Sequence, residues 1–272
     1  MAAPRQLSMD DFEIIRELGR GTFGAAYHAR NKITGEEVAI KKIKCPTEMA
    51  EQEAQHEIDT HQQAKFRYIA NFMDSFTEVD EDGTNTFCLV MEFCDQGNLT
   101  DYIKKKQNRR SHIKEEYAWN ILIQLVMGVN YMHSKRLVHR DLKPDNVFLT
   151  GPDREVRIGD FGLSKLLDPT RSYLQSMKGT IHYVSPELLK LQQFRISGDV
   201  WGIGVTMYEL LTFKHPFDGR TEQDTWNNII NDSFQPTPIP DIYSMPLRET
   251  VNAMLVKDHN LRVTLNNLVK VP

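Results

Sequence analysis

Short stretches in which apolar and polar residues partly alternate dominate the first ninety residues. Strand-forming residues are concentrated in FEIIRELG, GAAYHARN and EEVAIKKI, and Thr34-Gly35 forms a turn between two of these stretches. Two further strand-like stretches, NFMDSFTEV and TFCLVMEF, flank an Asp82-Gly83 pair that is typical of a hairpin. Between them, residues 47–64 contain strong helix formers, no helix breaker and a proline just before the start. The pattern predicts five strands and one helix.

After Gly97 the apolar residues recur with a helical period. The clearest example is an amphipathic stripe formed by Ala118, Leu122, Leu125, Val129 and Met132. Further helices are predicted near 198–212, 221–233, 245–257 and 264–270, with short strands near Val147 and Val156. We therefore expect an α+β fold with two lobes: a small antiparallel β-rich lobe with one helix (residues 1–93), joined through FCDQG to a larger, mainly helical lobe (residues 94–272).

Composition and net charge argue against some classes of function, nucleic-acid binding among them. The chain has 272 residues, 40% of them hydrophobic and 26% charged, which is typical of a soluble globular protein. A net charge of −4 gives no overall attraction to nucleic acid, and we interpret the one basic run, KKKQNRR from Lys104 to Arg110, as a solvated helix end or loop. We expect no nucleic-acid partner.

The three cysteines and the lengths of the apolar runs indicate in which cellular compartment the protein is expected. Cys45, Cys88 and Cys94 form neither a zinc-binding pair nor an even disulfide framework, which favours a reducing environment. The first thirty residues contain no apolar run of signal-peptide length, and eighteen consecutive apolar residues occur nowhere. We expect an intracellular, soluble protein without a membrane partner.

A glycine-rich segment follows the first predicted strand. Gly19, Gly21 and Gly24 match G-x-G-x-x-G, in which the absence of side chains lets backbone N–H groups approach phosphate. A dinucleotide-binding fold requires a helix after the glycines, but a strand follows here. A Walker A loop requires lysine where Ala25 stands. A phosphate-covering hairpin and a plain glycine-containing hairpin both remain open.

Charged residues on the third strand and on the helix are candidates for an ion pair. Lys41 in VAIK would be poorly solvated on an inward-facing strand unless an acid paired with it. The helix offers Glu53 and Glu57, one turn apart on the same face. Each glutamate also fits a solvated acidic face.

The stretch HRDLKPDNVFL at 139–149 places acids, bases and an amide between apolar residues. It belongs to a series of motifs that resembles the eukaryotic protein kinase family from Phe12 to the C-terminus: GRGTFG, VAIK, HRDLKPDN, DFG (Asp160 to Gly162), SPE (Ser185 to Glu187) and DVWGIG (Asp199 to Gly204). The resemblance implies transfer of the γ-phosphoryl group of ATP, with Mg²⁺, to a protein hydroxyl. Such a loosely bonded, highly charged transition state requires mainly positioning and charge neutralisation.

The resemblance also implies residue roles. Asp141 would orient the substrate hydroxyl and accept its proton, and Lys143 would lie near the transferred phosphoryl group. Asn146 and Asp160 would hold Mg²⁺, for which oxygen ligands are suitable. Lys41 would hold the α- and β-phosphates while paired with Glu57, which lies at the kinase-like distance before the next strand.

For ATP the resemblance implies that the adenine stacks over Phe148 and bonds to the backbone of Glu92 and Cys94, with Met91 as gatekeeper. The full set of expected ATP-binding residues is Gly19, Gly21, Gly24, Ala26, Ala39, Lys41, Met91, Glu92, Cys94, Asn98 and Phe148. Structural roles are also implied: His139 packs with Phe161, Asp199 caps the catalytic-loop backbone, and Glu187 pairs with Arg262.

The segment between DFG and SPE is expected to carry a switch. Ser176 in RSYLQSMKGT is the predicted activating phosphosite, with Arg140 and Lys165 as the cations that would receive the phosphate. Competing sites are Thr170, Ser172 and Thr180, of which Thr180 is instead implied to contact Asp141 and Lys143. Leu163, after DFG, predicts a preference for serine over threonine.

Within the family, FLT after the catalytic loop, Cys94 and GTIHYVSPELL are most similar to the NIMA-related kinases. Three residues depart from the usual pattern: Ala26 replaces a valine, Asn98 an aspartate, and His61 a leucine or methionine. His61 leaves open whether the active state assembles by itself or needs a regulatory partner or second copy. The resemblance implies a cytoplasmic location, with cytoskeletal or nuclear association and cell-cycle roles as further expectations.

Two alternatives to an active protein kinase remain open. A pseudokinase scaffold is disfavoured by the intact Lys41, Asp141, Asn146 and Asp160, although His61 keeps it open. A small-molecule kinase is disfavoured by the 179–187 segment, which in protein kinases forms the peptide platform. Tyrosine specificity is disfavoured by Lys143.

Overall fold

The computed structural model describes residues 7–21, 24–161, 165–166, 181–192 and 194–269. Its first lobe is built on an antiparallel five-stranded sheet with the strand order β1-β2-β3-β5-β4. The strands are β1 (Phe12–Gly21), β2 (Gly24–Asn31), β3 (Glu37–Cys45), β4 (Phe72–Val79) and β5 (Asn85–Glu92). These are the five strands that the alternating pattern predicts.

A single helix, α1 (Glu48–Gln63), packs against this sheet within the described residues. It begins at Thr47, whose side chain accepts a hydrogen bond from the Ala50 N–H and so satisfies one donor of the first turn. Its Ala54 packs with Ile43 and Cys45 of β3. This packing fixes α1 beside the strand that carries Lys41.

The second lobe is mainly helical. Its helices are α2 (Leu99–Asn108), α3 (Glu115–Ser134), α4 (Pro186–Leu191), α5 (Ser197–Thr212), α6 (Glu222–Ile230), α7 (Met245–Met254) and α8 (Leu265–Leu268). Short strands form two further pairs, β6 (Leu137–Val138) with β9 (Lys165–Leu166), and β7 (Val147–Thr150) with β8 (Glu155–Ile158). The α+β, two-lobed expectation is confirmed.

The stripe predicted on α3 faces the core of this lobe. All five of its residues are buried. Four of them belong to the same core cluster as α5, which is buried along most of its length, and Met132 packs with Phe161 instead. The apolar period therefore reports real burial, as expected for a helix between other elements. Among the described residues, no helix is long and apolar enough to cross a membrane.

The sequence pattern did not predict four of the helices and strands: α2, α4, β6 and β9. Only Leu99 and Ile103 of α2 are buried, so its apolar stripe is too thin to produce a clear period. The helix α4 has six residues, and the two strands have two residues each. The basic run at 104–110 forms the exposed end of α2 and the residues after it, as interpreted from the sequence.

The two lobes are connected through residues 93–98, which are tied to β7. The Gln96 N–H donates to the Leu149 carbonyl at 3.1 Å, and the Leu149 N–H donates to the Gly97 carbonyl at 2.8 Å. Gly97 adopts φ +72°, a left-handed conformation that favours glycine. The connection between the lobes is therefore bonded to the strand that follows the catalytic-loop motif.

Candidate active site

The HRDLKPDN segment forms a loop between β6 and β7, and Asp199 of α5 holds its backbone. The two Asp199 carboxylate oxygens accept the N–H groups of His139 and Arg140, each at 2.9 Å. His133 Nε2 lies 2.8 Å from the same carboxylate. Burial favours the neutral acid, but the hydrogen bonds from His133 and the Arg140 backbone lower the pKa of Asp199. A buried carboxylate therefore fixes the loop.

The two carboxylate oxygens of Asp141 have different surroundings. Oδ2 accepts hydrogen bonds from Lys143 Nζ at 2.7 Å and from the Asn146 amide at 2.9 Å. Oδ1 is buried and has no hydrogen-bond partner in the part of the chain that the structure describes. A buried acceptor without a donor is costly, so this oxygen is suited to receive a donor from a bound molecule.

Lys41 projects from β3 toward two acids. Its ammonium group lies 2.7 Å from Glu57 of α1 and 2.7 Å from Asp160, which follows β8. Burial opposes the charged lysine, but the two carboxylates together raise the pKa of Lys41 above its usual value. The lysine therefore remains a cation.

The positions of Glu53 and Glu57 on α1 show which of the two can pair with Lys41. Glu57 is buried, whereas Glu53 is exposed. The structure thus brings Glu57, and not Glu53, to Lys41.

Asn146 and Asp160 supply the oxygen atoms expected for Mg²⁺. The side-chain amide nitrogen of Asn146 is used for hydrogen bonds to Asp141, which leaves the carbonyl oxygen as the atom suited to a cation. Asp160 adopts φ +60° and lies beside Lys41. A carboxylate and an amide oxygen fit a hard cation that keeps several water ligands.

The glycines of the motif lie at the paired ends of β1 and β2. At Gly24 a Cβ atom would lie 1.7 Å from the Lys42 carbonyl oxygen, so the position requires glycine. Gly21 is paired with Gly24, while residues 22–23 lie outside the described residues. The strand register brings the predicted residues into rows: Gly19 opposite Ala26, Ala26 opposite Lys41, and Ala39 opposite Met91.

The predicted adenine site lies where the lobes meet. Phe148 on β7 is half-buried and packs against Gly159, where a Cβ atom would lie 2.8 Å from its ring. Burial raises the pKa of the Cys94 thiol to about 12, so this thiol stays protonated at neutral pH. Asn98 begins α2: its side-chain oxygen accepts from the Asp101 N–H at 2.9 Å. This capping role was not predicted.

Glu92 also makes side-chain contacts that the motifs do not predict. Its carboxylate accepts from the Asn71 N–H at 2.7 Å and from Arg157 Nε at 3.0 Å. Arg157 is part of β8, so the ion pair joins the end of β5 to the second lobe. The sequence signal for this contact was weak, because neither residue belongs to a motif.

Three aromatic rings pack against one another between the lobes, at tilted angles. Phe161 lies 4.6 Å from His61 of α1 and 5.7 Å from His139, measured between ring centroids, and all three side chains are buried. His139 Nε2 lies 3.1 Å from the Gly159 carbonyl. The implied packing of His139 with Phe161 is present, and His61 is in contact with it.

A buried ion pair joins the glutamate of SPE to Arg262, near the end of the described chain. The guanidinium of Arg262 donates to both oxygens of Glu187, at 2.7 and 2.8 Å, and the side chains are 0% and 1% exposed. The Arg262 pairing keeps the pKa of Glu187 low although burial favours the neutral acid. The structure contains the contact that the resemblance implies.

The predicted switch falls largely outside the described residues, which include neither Ser176 nor Thr180, nor Leu163, Thr170 and Ser172. Lys165 is described only as part of β9. Arg140 adopts φ +73°, and its guanidinium carbon lies 4.4 Å from the ring centroid of Phe194. This cation–π contact was not predicted, because Phe194 belongs to no motif.

Comparison with known proteins agrees with the geometry. Residues 12–272 match the protein kinase domain family. The chain is 31% identical over 267 residues to the probable serine/threonine-protein kinase nek2 of Dictyostelium discoideum, covering 96% of this chain and 62% of that protein. It is 32% identical to the serine/threonine-protein kinase Nek3 of Oryza sativa subsp. japonica (97% and 44%) and 30% identical to human serine/threonine-protein kinase Nek5 (97% and 36%).

The chain thus spans 36% to 62% of the length of these relatives. Its family assignment rests on nearly the whole chain, residues 12–272. The chain therefore belongs to the protein kinase family, and the relatives that it resembles over nearly its whole length are named as Nek serine/threonine-protein kinases.

Proposed function

We propose that this domain transfers the γ-phosphoryl group of Mg-ATP to serine and threonine hydroxyls of protein substrates. The observation that carries the proposal is the asymmetry of Asp141: Lys143 and Asn146 hold one carboxylate oxygen, and the other is buried with no donor among the described residues. A substrate hydroxyl that donates to Oδ1 would be oriented for attack and could pass its proton to the carboxylate. Lys143 would offset the charge that develops on the transferred group.

The cationic and metal-binding side chains would act on the phosphates. Lys41, held by Glu57, would bind the α- and β-phosphates, and Asn146 with Asp160 would hold Mg²⁺. The metal ion would neutralise charge on the β- and γ-phosphates. Gly19, Gly21 and Gly24 would cover the phosphates with backbone N–H groups, as the steric need for glycine at Gly24 supports.

The remaining nucleotide contacts follow from the position of the adenine site. Ala26, Ala39, Met91 and Phe148 would enclose the base, with hydrogen bonds to the backbone of Glu92 and Cys94. Asn98 would contact the ribose through its amide nitrogen, since its oxygen caps α2. The functional division into a nucleotide-binding lobe (residues 1–93) and a catalytic lobe (residues 94–272) is part of the same proposal.

Substrate preference and regulation are finer proposals. Leu163 would disfavour the additional methyl group of threonine, so serine would be preferred. Phosphorylation of Ser176 would activate the enzyme, with Arg140 and Lys165 as its cationic partners. If Ser176→Ala keeps full activity and phosphatase treatment leaves the wild type unchanged, activation comes from elsewhere, such as a regulatory partner or a second copy that positions α1. A cytoplasmic location, with cytoskeletal or nuclear association, remains part of the proposal.

A radiolabel assay tests the proposal. The chain is incubated with [γ-³²P]ATP and a degenerate peptide library with fixed serine, threonine or tyrosine acceptors, with Mg²⁺ or with excess chelator. We expect labelling of serine above threonine, none of tyrosine, and loss of labelling with chelator. Asp153→Asn, at an exposed carboxylate remote from the motifs, is the matched control and should label like the wild type. Absence of labelling under every condition would overturn the proposal in favour of a nucleotide-binding scaffold.

A further inference from the structure

His61 has an unusual position for an ionisable residue. It is located in the last turn of α1, four residues after Glu57, so both side chains project from the same face of the helix. Its side chain is 1% exposed. Its ring contacts Phe161 at 4.6 Å and Phe72 of β4 at 5.9 Å. A hydrocarbon side chain would satisfy this packing, so the imidazole nitrogens require a separate explanation.

One imidazole nitrogen is bonded to the backbone that follows α1. His61 Nε2 lies 2.6 Å from the carbonyl oxygen of Ala70, a residue that is itself buried. Because a carbonyl only accepts, Nε2 carries the proton and donates it. The other nitrogen, Nδ1, is buried and has no hydrogen-bond partner among the described residues. The bond from Nε2 to Ala70 is therefore the described contact that favours the Nε2–H tautomer.

The backbone at Ala70 is hydrogen-bonded to β8, the strand that precedes Asp160, which is proposed to hold Mg²⁺. The Ala70 N–H donates to the Ile158 carbonyl at 2.8 Å, and the Ile158 N–H donates to the Tyr68 carbonyl at 2.9 Å. Residues 68–70 therefore lie along β8, whose last residue, Ile158, is two positions before Asp160. Through His61, α1 is joined by hydrogen bonds to β8, the strand that precedes Asp160.

We propose that His61 is a positioning residue whose Nε2–H bond to the Ala70 carbonyl holds α1 in the orientation that brings Glu57 to Lys41 and Asp160. The inference rests on the proposed phosphoryl-transfer function. The helix carries Glu57, Asp160 follows β8, and Lys41 bridges the two acids at 2.7 Å each. A leucine at this position would pack on Phe161 but would leave a buried carbonyl without the donor it has here.

The neutral state of the ring supports this role. Burial lowers the pKa of His61 to about 4, and the charges that face it, Lys41 and Asp160, act in opposite directions. The imidazole is therefore a neutral donor throughout the neutral pH range. The hydrogen bond does not depend on a change of charge.

Two substitutions separate the hydrogen bond from the packing. His61→Leu keeps an apolar side chain against Phe161 and removes the donor, whereas His61→Gln keeps an N–H donor at a similar reach and removes the ring. Gln62→Leu, at the exposed neighbouring position, is the matched control. For each protein, kcat, KM for ATP and the Kd for Mg-ATP are measured, together with the thermal midpoint.

We expect His61→Leu to weaken Mg-ATP binding about tenfold and to lower kcat/KM further, and His61→Gln to stay within about threefold of the wild type. Gln62→Leu should be unchanged. If His61→Leu equals or exceeds the wild type in kcat/KM, apolar packing alone positions α1 and the inference is wrong. If both substitutions at His61 lose activity in proportion to their thermal midpoints, the role is merely structural and the inference is also wrong.

An NMR measurement on the wild type tests the hydrogen bond without relying on catalysis. In the wild type labelled with ¹⁵N-histidine, one of the nine imidazoles should show the Nε2–H tautomer, with a slowly exchanging proton and no titration between pH 8 and pH 5. Its signal is assigned by its loss in His61→Gln. A titrating or rapidly exchanging His61 would overturn the inference. If the wild type shows this signal but transfers no phosphate, the proposed function fails while the Mg-ATP affinities still test the positioning role.

Discussion

The ammonium group of Lys41 lies 2.7 Å from the carboxylate of Asp160 while it also contacts Glu57. The lysine therefore links the β-sheet lobe to the residue proposed to bind Mg²⁺. Glu57 is 6% exposed, so its charge depends on this single described cation. Removing one partner of a buried ion pair leaves an uncompensated charge, which usually costs more than the pair contributes.

Lys41→Met should accordingly lower the free energy of unfolding by about 3 kcal/mol. Adding Glu57→Gln to that variant should recover part of the loss, because the buried charge is then removed. Urea unfolding of the wild type, both single variants and the double variant measures the coupling. Strictly additive losses would show that Lys41 and Glu57 do not stabilise each other.

Asp199→Asn should lower kcat with little change in the affinity for Mg-ATP. The carboxylate accepts three hydrogen bonds, from His139, Arg140 and His133, and an amide offers a single accepting oxygen. The catalytic loop would then lose the support of at least one backbone N–H group. Steady-state kinetics and calorimetry on the same variant separate the two quantities, and an unchanged kcat would count against the loop-holding role.

Arg262→Lys should destabilise the domain by about 3 kcal/mol although it keeps the charge. Lysine cannot reproduce the two parallel hydrogen bonds to Glu187, and the site is fully buried. Arg67→Lys is the control, since Arg67 is 66% exposed in its pair with Glu155 and should change stability by less than about 0.5 kcal/mol. Equal effects at the two sites would refute the distinction.

Acid should destabilise the domain through His61. The folded pKa is about 4 and the ordinary value is 6.5, so below pH 6.5 the unfolded chain binds a proton that the folded chain does not. The contribution to stability is complete above pH 6.5, falls as the pH drops, and levels off below about 4. At pH 5 it should be smaller by about 2 kcal/mol. Urea unfolding at pH 7.5 and pH 5 should show this difference in the wild type, and a smaller one in His61→Gln.

The sequence predicted the fold well where burial produces a period. The stripe from Ala118 to Met132 and the partly alternating pattern of β3 follow from one-sided burial, whereas the apolar residues of β1 after Phe12 are exposed. The helix α2 was not predicted because its stability comes from an Asn98 cap and two buried residues. Such a helix has no strong period of its own.

In the site, the sequence predicted the residues that belong to motifs. It did not predict contacts with backbone groups or with residues outside the motifs. Spacing and resemblance indicated the Lys41–Glu57 and Glu187–Arg262 pairs. The hydrogen bond from His61 to Ala70 uses a backbone acceptor, and a backbone carbonyl has no signature in the sequence. The contact of Arg140 with Phe194 depends on a segment more than fifty residues away along the chain, whose approach only the folded lobe determines.

The most direct measurement of the central claim is phosphoryl transfer by Asp141→Asn together with its affinity for Mg-ATP. The substitution replaces the carboxylate whose Oδ1 is buried without a described partner, and it removes no proposed nucleotide contact. We predict that transfer from [γ-³²P]ATP to peptide becomes undetectable while the Kd for Mg-ATP, measured by calorimetry, stays within about tenfold of the wild type, or about 1.4 kcal/mol. Turnover near that of the wild type would contradict the account, because phosphoryl transfer would then proceed without the group assigned to orient the hydroxyl.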